Sequence, residues 1–385
     1  MGKKINVAYF DESHVFSGAE NSLYLLVNAL DRDSFEPSLY FVYPQSHQNR
    51  FSSLHVPIDF LVARPAWWMG GDYWNNPLRG SDFIKRAMLA LKLALRLRKN
   101  KVDILHINLA KKNSFWWVFW AKLMGVKVVL HCRSEPIEWI PGKNVQRFAD
   151  KIISVSDFVK EKVIHKNLSA TVSTVYNPVL FGDFGYDVSQ KYKSLSKLGF
   201  DAKVKMISSV GLLSPNKGHD NAIRVFARLL EQFPDLTLYI AGGGSALEQE
   251  RLIKIAEFED VVDKVYFSRG QISNINDVYR ASEFVFSLTK KGEAFGRVPF
   301  ESISCGVPVI APNVGAAAEL IESRKTGFLV DANNIENILS EAIFIMSKMS
   351  LAYEVTEQGR VRFRELLSPR RSAASVEKVY LDCIK

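Results

Sequence analysis

Residues 282–311 read SEFVFSLTKKGEAFGRVPFESISCGVPVIA. SEFVFSL (282–288) and VPVIAP (307–312) are apolar, strand-like runs. A helix is predicted between them from about Phe295 to Cys305, stopped by Gly306. Apolar strands joined by a crossover helix belong to parallel sheets covered on both faces, so this unit sets the class as α/β. It also gathers Glu293, Gly296, Arg297 and Glu301 around one helix start. Gly296 leaves amides open to a phosphate, with Arg297 beside them. If the helix ran through both glutamates they would stand roughly 12 Å apart, about the span from a sugar ring to a ribose across a diphosphate. A carboxylate accepts from two vicinal hydroxyls at once, so each glutamate could hold one carbohydrate. The plainer alternative is that Glu293 complements the helix dipole and Glu301 is a surface residue.

The same alternation runs outward in both directions. INVAYF (5–10) precedes helical AENSLYLLVNAL (19–30). DILHINL (103–109), SFWWVFWAKLM (114–124) and VKVVLH (126–131) repeat the order, followed by KIISVS (151–156), a short helix and STVYNP (173–178). From about 180 to 203 the pattern lapses into polar sequence. It restarts with KVKMISSVGLL (203–213), helical NKGHDNAIRVFARLLEQF, LTLYIAGGG (236–244) and DKVYFSRG (263–270). The expectation is two Rossmann-like, doubly wound parallel-sheet domains facing each other across a cleft. The first covers 1–180, a linker 181–202, and the second 203–366. A C-terminal helix over 367–385 would pack back on the first domain. In such sheets ligands lie beyond the carboxyl ends of the strands.

Composition agrees with a folded two-domain protein: 385 residues, 47% hydrophobic and 24% charged. Three cysteines, Cys132, Cys305 and Cys383, have no metal-ligand or disulfide spacing, which points to a reducing compartment. With no signal-like or membrane-spanning run, a cytoplasmic location is expected. The net charge of +9 lies wholly in residues 1–180, since residues 181–385 carry 26 basic and 26 acidic side chains. That asymmetry points to an anionic partner for the first domain, or to solubility charge alone.

Three further strand ends carry candidate residues. In VGLLSPNKGHD, Gly211 ends a strand and Lys217 with Gly218 opens a helix, a phosphate-binding arrangement or a solvated lysine. In AGGGS, Gly242 to Gly244 allow close backbone approach to a ligand or merely form a turn. The stretch lacks GxGxxG spacing and a following acidic residue, which argues against a nicotinamide cofactor. In NVGAAAELI, Gly315 and Ala316 open another helix.

Together these stretches resemble the family-4 retaining glycosyltransferases. The features are VG(x)5KG, a glycine-bearing strand end, E-(x)2-G-(x)4-E, GVPVIA and a downstream G-(x)3-E. SGAE (17–20) is similar to the family's GGxE loop, and DILHINL, VVLHC, ISVS and YNP to its other first-domain strands. The resemblance implies the GT-B fold and transfer of a hexosyl unit from a nucleotide sugar with retention, without a metal or other cofactor. It implies that Lys217 neutralises the donor diphosphate, that Glu293 contacts the transferred sugar and that Glu301 binds the ribose. Phe295, Gly296 and Arg297 would meet sugar and phosphates through backbone amides. Gly211 and Gly242 would border the donor, and Arg269, Gly270, Gln271 and Ile272 would frame the base. Gly18 would lie under the diphosphate and His131 beside the sugar; without the resemblance, His131 reads as a core histidine. Leu212 stands where the family has arginine, and Arg297 is the candidate replacement. Ser17 and Leu180 are milder departures. A nucleotide-sugar epimerase, or a sugar-nucleotide-binding protein without catalysis, are the alternatives on the same fold.

Residues 83–101, FIKRAMLALKLALRLRKNK, contain seven basic and no acidic residues. Ile84, Met88, Leu91 and Leu95 form one stripe, and Leu89, Leu93 and Leu97 a second nearly opposite. Lys85, Lys92, Arg96 and Lys99 lie between them. One stripe can pack on the sheet while the other meets an anionic membrane face, or the helix can lie buried between its neighbours. Trp67, Trp68 and Trp74 in the preceding loop suit interfacial anchoring or sugar stacking, or could fold into the domain core. No nucleic-acid motif accompanies the charge. A polyprenyl-diphosphate-linked saccharide or another glycan at the inner membrane face is the expected acceptor, in surface polysaccharide assembly.

Overall fold

The computed structural model describes residues 3–13, 17–44, 48–62, 80–110, 114–134, 145–164, 170–182, 185–268, 272 and 274–385. The chain divides into two compact units, one of residues 1–178 with 369–385, the other of residues 179–368.

The first unit is built on a seven-stranded parallel sheet. Its strands are β1 (Ile5–Asp11), β2 (Phe35–Phe41), β3 (Ile58–Phe60), β4 (Ile104–Ile107), β5 (Lys127–Cys132), β6 (Lys151–Ser154) and β7 (Thr171–Thr174), in the order β3-β2-β1-β4-β5-β6-β7. The central strands are buried almost throughout, as their unbroken apolar runs require. Helices Gly18–Asn28 and Pro369–Ile384 cover one face, where Leu23, Leu26, Val376 and Tyr380 share a core with Val7, Tyr9, Ile104, Val129 and Ile153. Trp117, from the aromatic run, packs against Phe10 with ring centroids 4.4 Å apart, while Phe119 stays exposed.

The second unit holds a six-stranded parallel sheet of β8 (Lys205–Val210), β9 (Leu236–Ala241), β10 (Val265–Phe267), β11 (Ser282–Phe286), β12 (Val309–Pro312) and β13 (Phe328–Val330). Its order is β10-β9-β8-β11-β12-β13. Ile207, Phe226, Leu238, Phe284, Phe286, Phe328 and Ile338 form its core. In each sheet the first strand in sequence is internal and the strand order reverses beside it, between β1 and β4 and between β8 and β11. Those two switch points are where a doubly wound sheet opens a crevice for ligands.

The stretch 181–202, expected as a linker, holds a helix, Val188–Lys197, capped by the Asp187 carboxylate on the Ser189 amide at 2.8 Å. Only Leu195 buries an apolar side chain there completely. Ion pairs supply other attachments: Lys191 to Glu283 at 2.5 Å and Lys197 to Asp277 at 3.0 Å. A helix attached by charge more than by an apolar stripe carries little hydrophobic periodicity for sequence reading to detect.

Helix Gly80–Lys99 buries Leu93 and Leu97 with Ala90 and Ala94, whereas Ile84, Met88 and Leu95 are 60%, 65% and 53% exposed. Full burial of each leucine contributes about 1.5–3 kcal/mol. The basic strip divides. Lys92 Nζ donates to the Leu61 carbonyl at 2.6 Å, and Arg96 Nη1 to Asp59 Oδ1 at 2.6 Å and the Phe60 carbonyl at 2.9 Å. Those two cations hold the helix to the edge strand β3. Lys85 and Lys99 remain exposed. Trp67, Trp68 and Trp74 lie outside the described residues. No described helix is long and apolar enough to cross a membrane.

Candidate functional site

Two loops meet at the switch point of the second sheet. The first leaves β8 through Gly211, makes a single 3-10 turn over Pro215–Lys217 and enters helix His219–Leu229 through Gly218. The second leaves β11 and reaches helix Arg297–Ser304 through Gly296, whose φ of 71° suits glycine. The loops are stitched together by backbone and side chain. Lys290 N donates to the Asn216 carbonyl at 2.8 Å, and Lys291 N to Asn216 Oδ1 at 2.9 Å. Lys290 Nζ reaches Asp220 Oδ2 at 2.6 Å. Burial pushes the Asp220 carboxyl up, but the hydrogen bond and charge of Lys290, with Arg251 beyond, outweigh it and hold it below its usual range.

This stitching brings together two residues that the sequence singled out separately. Lys217 Nζ is hydrogen-bonded to Glu293 Oε2 and lies 3.4 Å from Thr289 Oγ1, which itself donates to Glu293 Oε2 at 2.7 Å. Both charged side chains stay partly open to solvent, 29% and 23% exposed. Gly315 fixes the Glu293 loop from the other side: a Cβ there would fall 1.8 Å from the Glu293 carbonyl oxygen, and φ is 59°. Glu293 precedes the helix, so helical rise does not set its distance from Glu301.

Glu301 and Arg297 pair one turn apart, Arg297 Nε donating to Glu301 Oε1 at 2.8 Å. Tyr279 donates to Glu301 Oε2, also at 2.8 Å, and its phenol is held well above its usual range by burial and then by the Glu301 charge. Leu212 is 61% exposed at the β8 loop. Gly242 closes β9 against the Gly211 carbonyl. Ile272 is described, while Arg269, Gly270 and Gln271 lie outside the described residues.

At the switch point of the first sheet, Ser17 caps helix Gly18–Asn28 in a capping box. Its amide donates to Glu20 Oε2 at 2.6 Å and its hydroxyl accepts from the Ala19 amide. SGAE is therefore a sound helix start with serine in place of glycine, and Gly18 is its first helical residue. Beside it, Asn108 Nδ2 donates to Asp11 Oδ2 at 2.5 Å, Arg133 Nε donates to Asn108 Oδ1 at 2.9 Å, and Arg133 Nη1 reaches Asn177 Oδ1. Burial, then the charge of Glu20, raises the Asp11 carboxyl. His131, one residue from the end of β5, is 2% exposed with its Nε2 unpartnered among the described residues. Sequence reasoning missed Asp11, Asn108, Arg133, Thr289 and Tyr279. All but Tyr279 follow or end strands, which was the available signal. Among the described residues no group of three or more His, Cys, Asp or Glu side chains is placed to hold a metal.

Two doubly wound parallel sheets with polar loops at their switch points are a GT-B fold. The family model described as Glycosyltransferase Family 4 matches residues 16–179, and the one described as Glycosyl transferases group 1 matches residues 190–362. The chain belongs to this family of glycosyltransferases. It is 32% identical over 193 residues to a D-inositol 3-phosphate glycosyltransferase of Rhodococcus jostii (strain RHA1), covering 49% of this chain and 40% of that one. It is 30% identical over 204 residues to the GDP-mannose-dependent alpha-(1-6)-phosphatidylinositol monomannoside mannosyltransferase of Mycolicibacterium smegmatis (strain ATCC 700084 / mc(2)155), covering 45% and 53%. The chain thus spans about half the length of these curated relatives or less. Among solved structures, Anabaena Alr3699/HepE in complex with UDP and glucose superposes with a TM-score of 0.77 at 18% identity, covering 98% of this chain and 100% of that one.

Proposed function

We propose that this protein is a retaining, metal-independent glycosyltransferase that moves a hexosyl unit from a nucleotide sugar to a glycan or lipid-linked saccharide. The observation that carries the reading is the Lys217–Thr289–Glu293 cluster at the β8/β11 switch point. The cluster offers a cation suited to a diphosphate and a carboxylate suited to sugar hydroxyls, next to the amides that open helix Arg297–Ser304. A relative named for D-inositol 3-phosphate, one named for GDP-mannose and phosphatidylinositol monomannoside, and a neighbour holding UDP and glucose support the substrate class.

The glycosidic bond to the diphosphate breaks as the acceptor oxygen attacks the same face. The departing phosphate oxygen takes the acceptor proton, and Lys217 with the helix N-terminus stabilises the charge that accumulates there. Arg297 supplies a second cation in place of the arginine absent at Leu212. Glu301, held by Tyr279 and Arg297, receives the ribose. The exposed Ile84, Met88 and Leu95 with Lys85 and Lys99 bind the protein peripherally to an anionic inner membrane face, in surface polysaccharide assembly.

A binding and slow-hydrolysis screen over UDP-, GDP-, ADP- and dTDP-sugars, with Glu293→Ala as control, tests this. One donor is expected to bind and turn over only with Glu293 present. Binding without hydrolysis or transfer would favour a non-catalytic sugar-nucleotide-binding protein, the reading that Leu212 keeps open. Isomerised donor without acceptor would favour an epimerase.

A further inference from the structure

A chain of buried hydrogen bonds runs through the first unit from its last helix to the end of β5. Tyr380 Oη lies 2.6 Å from His106 Nδ1, and His106 Nε2 lies 3.1 Å from His131 Nδ1. Tyr380 is on helix Pro369–Ile384, His106 on β4 and His131 on β5. All three side chains are 0–2% exposed. The chain ends at His131 Nε2, which has no partner among the described residues.

Both imidazoles are neutral. Burial first, and the Arg133 charge next, hold His106 down to about 3 and His131 well below its ordinary value. Each ring therefore carries a single N–H, and the direction of the whole chain follows from its first link. A phenol O–H is a stronger donor than an imidazole N–H, and the bare imidazole nitrogen is a stronger acceptor than a phenol oxygen. Burial, then Tyr9, raises the Tyr380 hydroxyl well above its ordinary range, and since Tyr9 Oη makes no hydrogen bond among the described residues the Tyr380 proton is left for His106. Tyr380 therefore donates to His106 Nδ1, the His106 proton sits on Nε2 and points at His131 Nδ1, and the His131 proton sits on Nε2.

We propose that Tyr380 and His106 are positioning residues that hold His131 as the Nε2–H tautomer, so that it donates a hydrogen bond to an acceptor oxygen of a ligand bound beside the end of β5. The proposal rests on the glycosyltransferase reading for the identity of the acceptor oxygen, but not for the tautomer. A buried N–H without a protein partner is costly unless a ligand supplies the acceptor. A histidine kept neutral and proton-out toward a ligand serves as a recognition group rather than a base.

The test is nitrogen-15 NMR on the full chain, free of ligand, labelled on its seven histidines and assigned by single substitutions. Long-range proton–nitrogen couplings distinguish the two tautomers. The expected result is Nε2–H at both His106 and His131. In Tyr380→Phe, which keeps the ring packing, both should become mixed or convert to Nδ1–H. An Nδ1–H His131 in the unaltered protein overturns the proposal, and so does an unchanged tautomer in Tyr380→Phe. In a transfer assay Tyr380→Phe should lower kcat/KM by about 10–100-fold, as loss of a functional histidine's hydrogen-bond partner does elsewhere. His106→Gln, which can still donate to His131 Nδ1, should retain more activity than His106→Leu; equal losses would also overturn it. Absence of transfer in the unaltered protein would sink the enzyme reading while leaving the tautomer result intact.

Discussion

Lys217 and Glu293, 76 residues apart in sequence, neutralise each other at the β8/β11 switch point through a direct hydrogen bond. A diphosphate approaching Lys217 therefore competes with a carboxylate already there. Glu293→Gln removes the competitor while keeping the shape. The expected outcome is a nucleoside diphosphate that binds more tightly, with donor turnover lowered by about 10²–10³, the usual cost of one oriented charge or donor. Calorimetric titration beside a turnover assay checks both halves. Weaker diphosphate binding in the variant would refute the competition.

Leu212 is exposed at the place where an arginine is otherwise expected, so Leu212→Arg buries no charge. It should raise kcat/KM for the donor. If Arg297 already supplies that cation, Arg297→Ala should reduce turnover and Leu212→Arg should partly restore it in the double variant. Additive, independent effects would show that the two positions do not share a role.

Gly315→Ala places a methyl group on the Glu293 carbonyl and forces alanine to a φ of 59°. The neighbour is backbone and cannot swing aside. Strain of this kind costs about 1–3 kcal/mol. A lower Tm and a raised donor KM are expected together. An unchanged KM would mean that the Glu293 loop does not bind donor.

The loops at the β8/β11 switch point were legible because their signals are local: a strand, a glycine and a charged residue within a few positions. EAFGRVPFE could be read without knowing what faces it. The pairings could not. Tyr380 meets His106 across 274 positions, and nothing near either residue marks the other. His131 accordingly read as a core histidine on its own residues. Helix Val188–Lys197 escaped notice because charge pairs hold it, and Lys92 and Arg96 looked like surface charge until Leu61 and Asp59 were seen beneath them. Periodicity reports which face is apolar, but not which cation has found a carbonyl.

The proposed membrane face consequently narrows to Ile84, Met88 and Leu95 with Lys85 and Lys99. Neutralising Lys85 and Lys99 should weaken binding to phosphatidylserine-containing vesicles by about 2 kcal/mol, at about 1 kcal/mol per charge. Neutralising Lys92 and Arg96 should instead lower Tm. Sedimentation and thermal unfolding separate the two pairs; an equal loss of vesicle binding from both would contradict the division.

Acid should destabilise the first unit. His106 and His131 are neutral when folded, with pKa values depressed by burial and then Arg133. Below about pH 6.5 the unfolded chain binds protons that these buried rings do not. Stability then falls by about 1.4 kcal/mol per pH unit for each histidine until its folded pKa is reached. His106→Gln should flatten the decline in Tm between about pH 7 and 5. Parallel slopes for variant and parent would show that His106 does not contribute.

The helix Pro369–Ile384 belongs to the unit begun by β1, whereas residues 179–368 form the other unit without interruption. On the ribosome, the continuous unit has all its residues before the split one does. The first sheet must wait, its Val129 and Ile153 face lacking Val376 and Tyr380, until the final helix has been synthesised. Synthesis therefore runs from N- to C-terminus while completion of the two cores runs the other way.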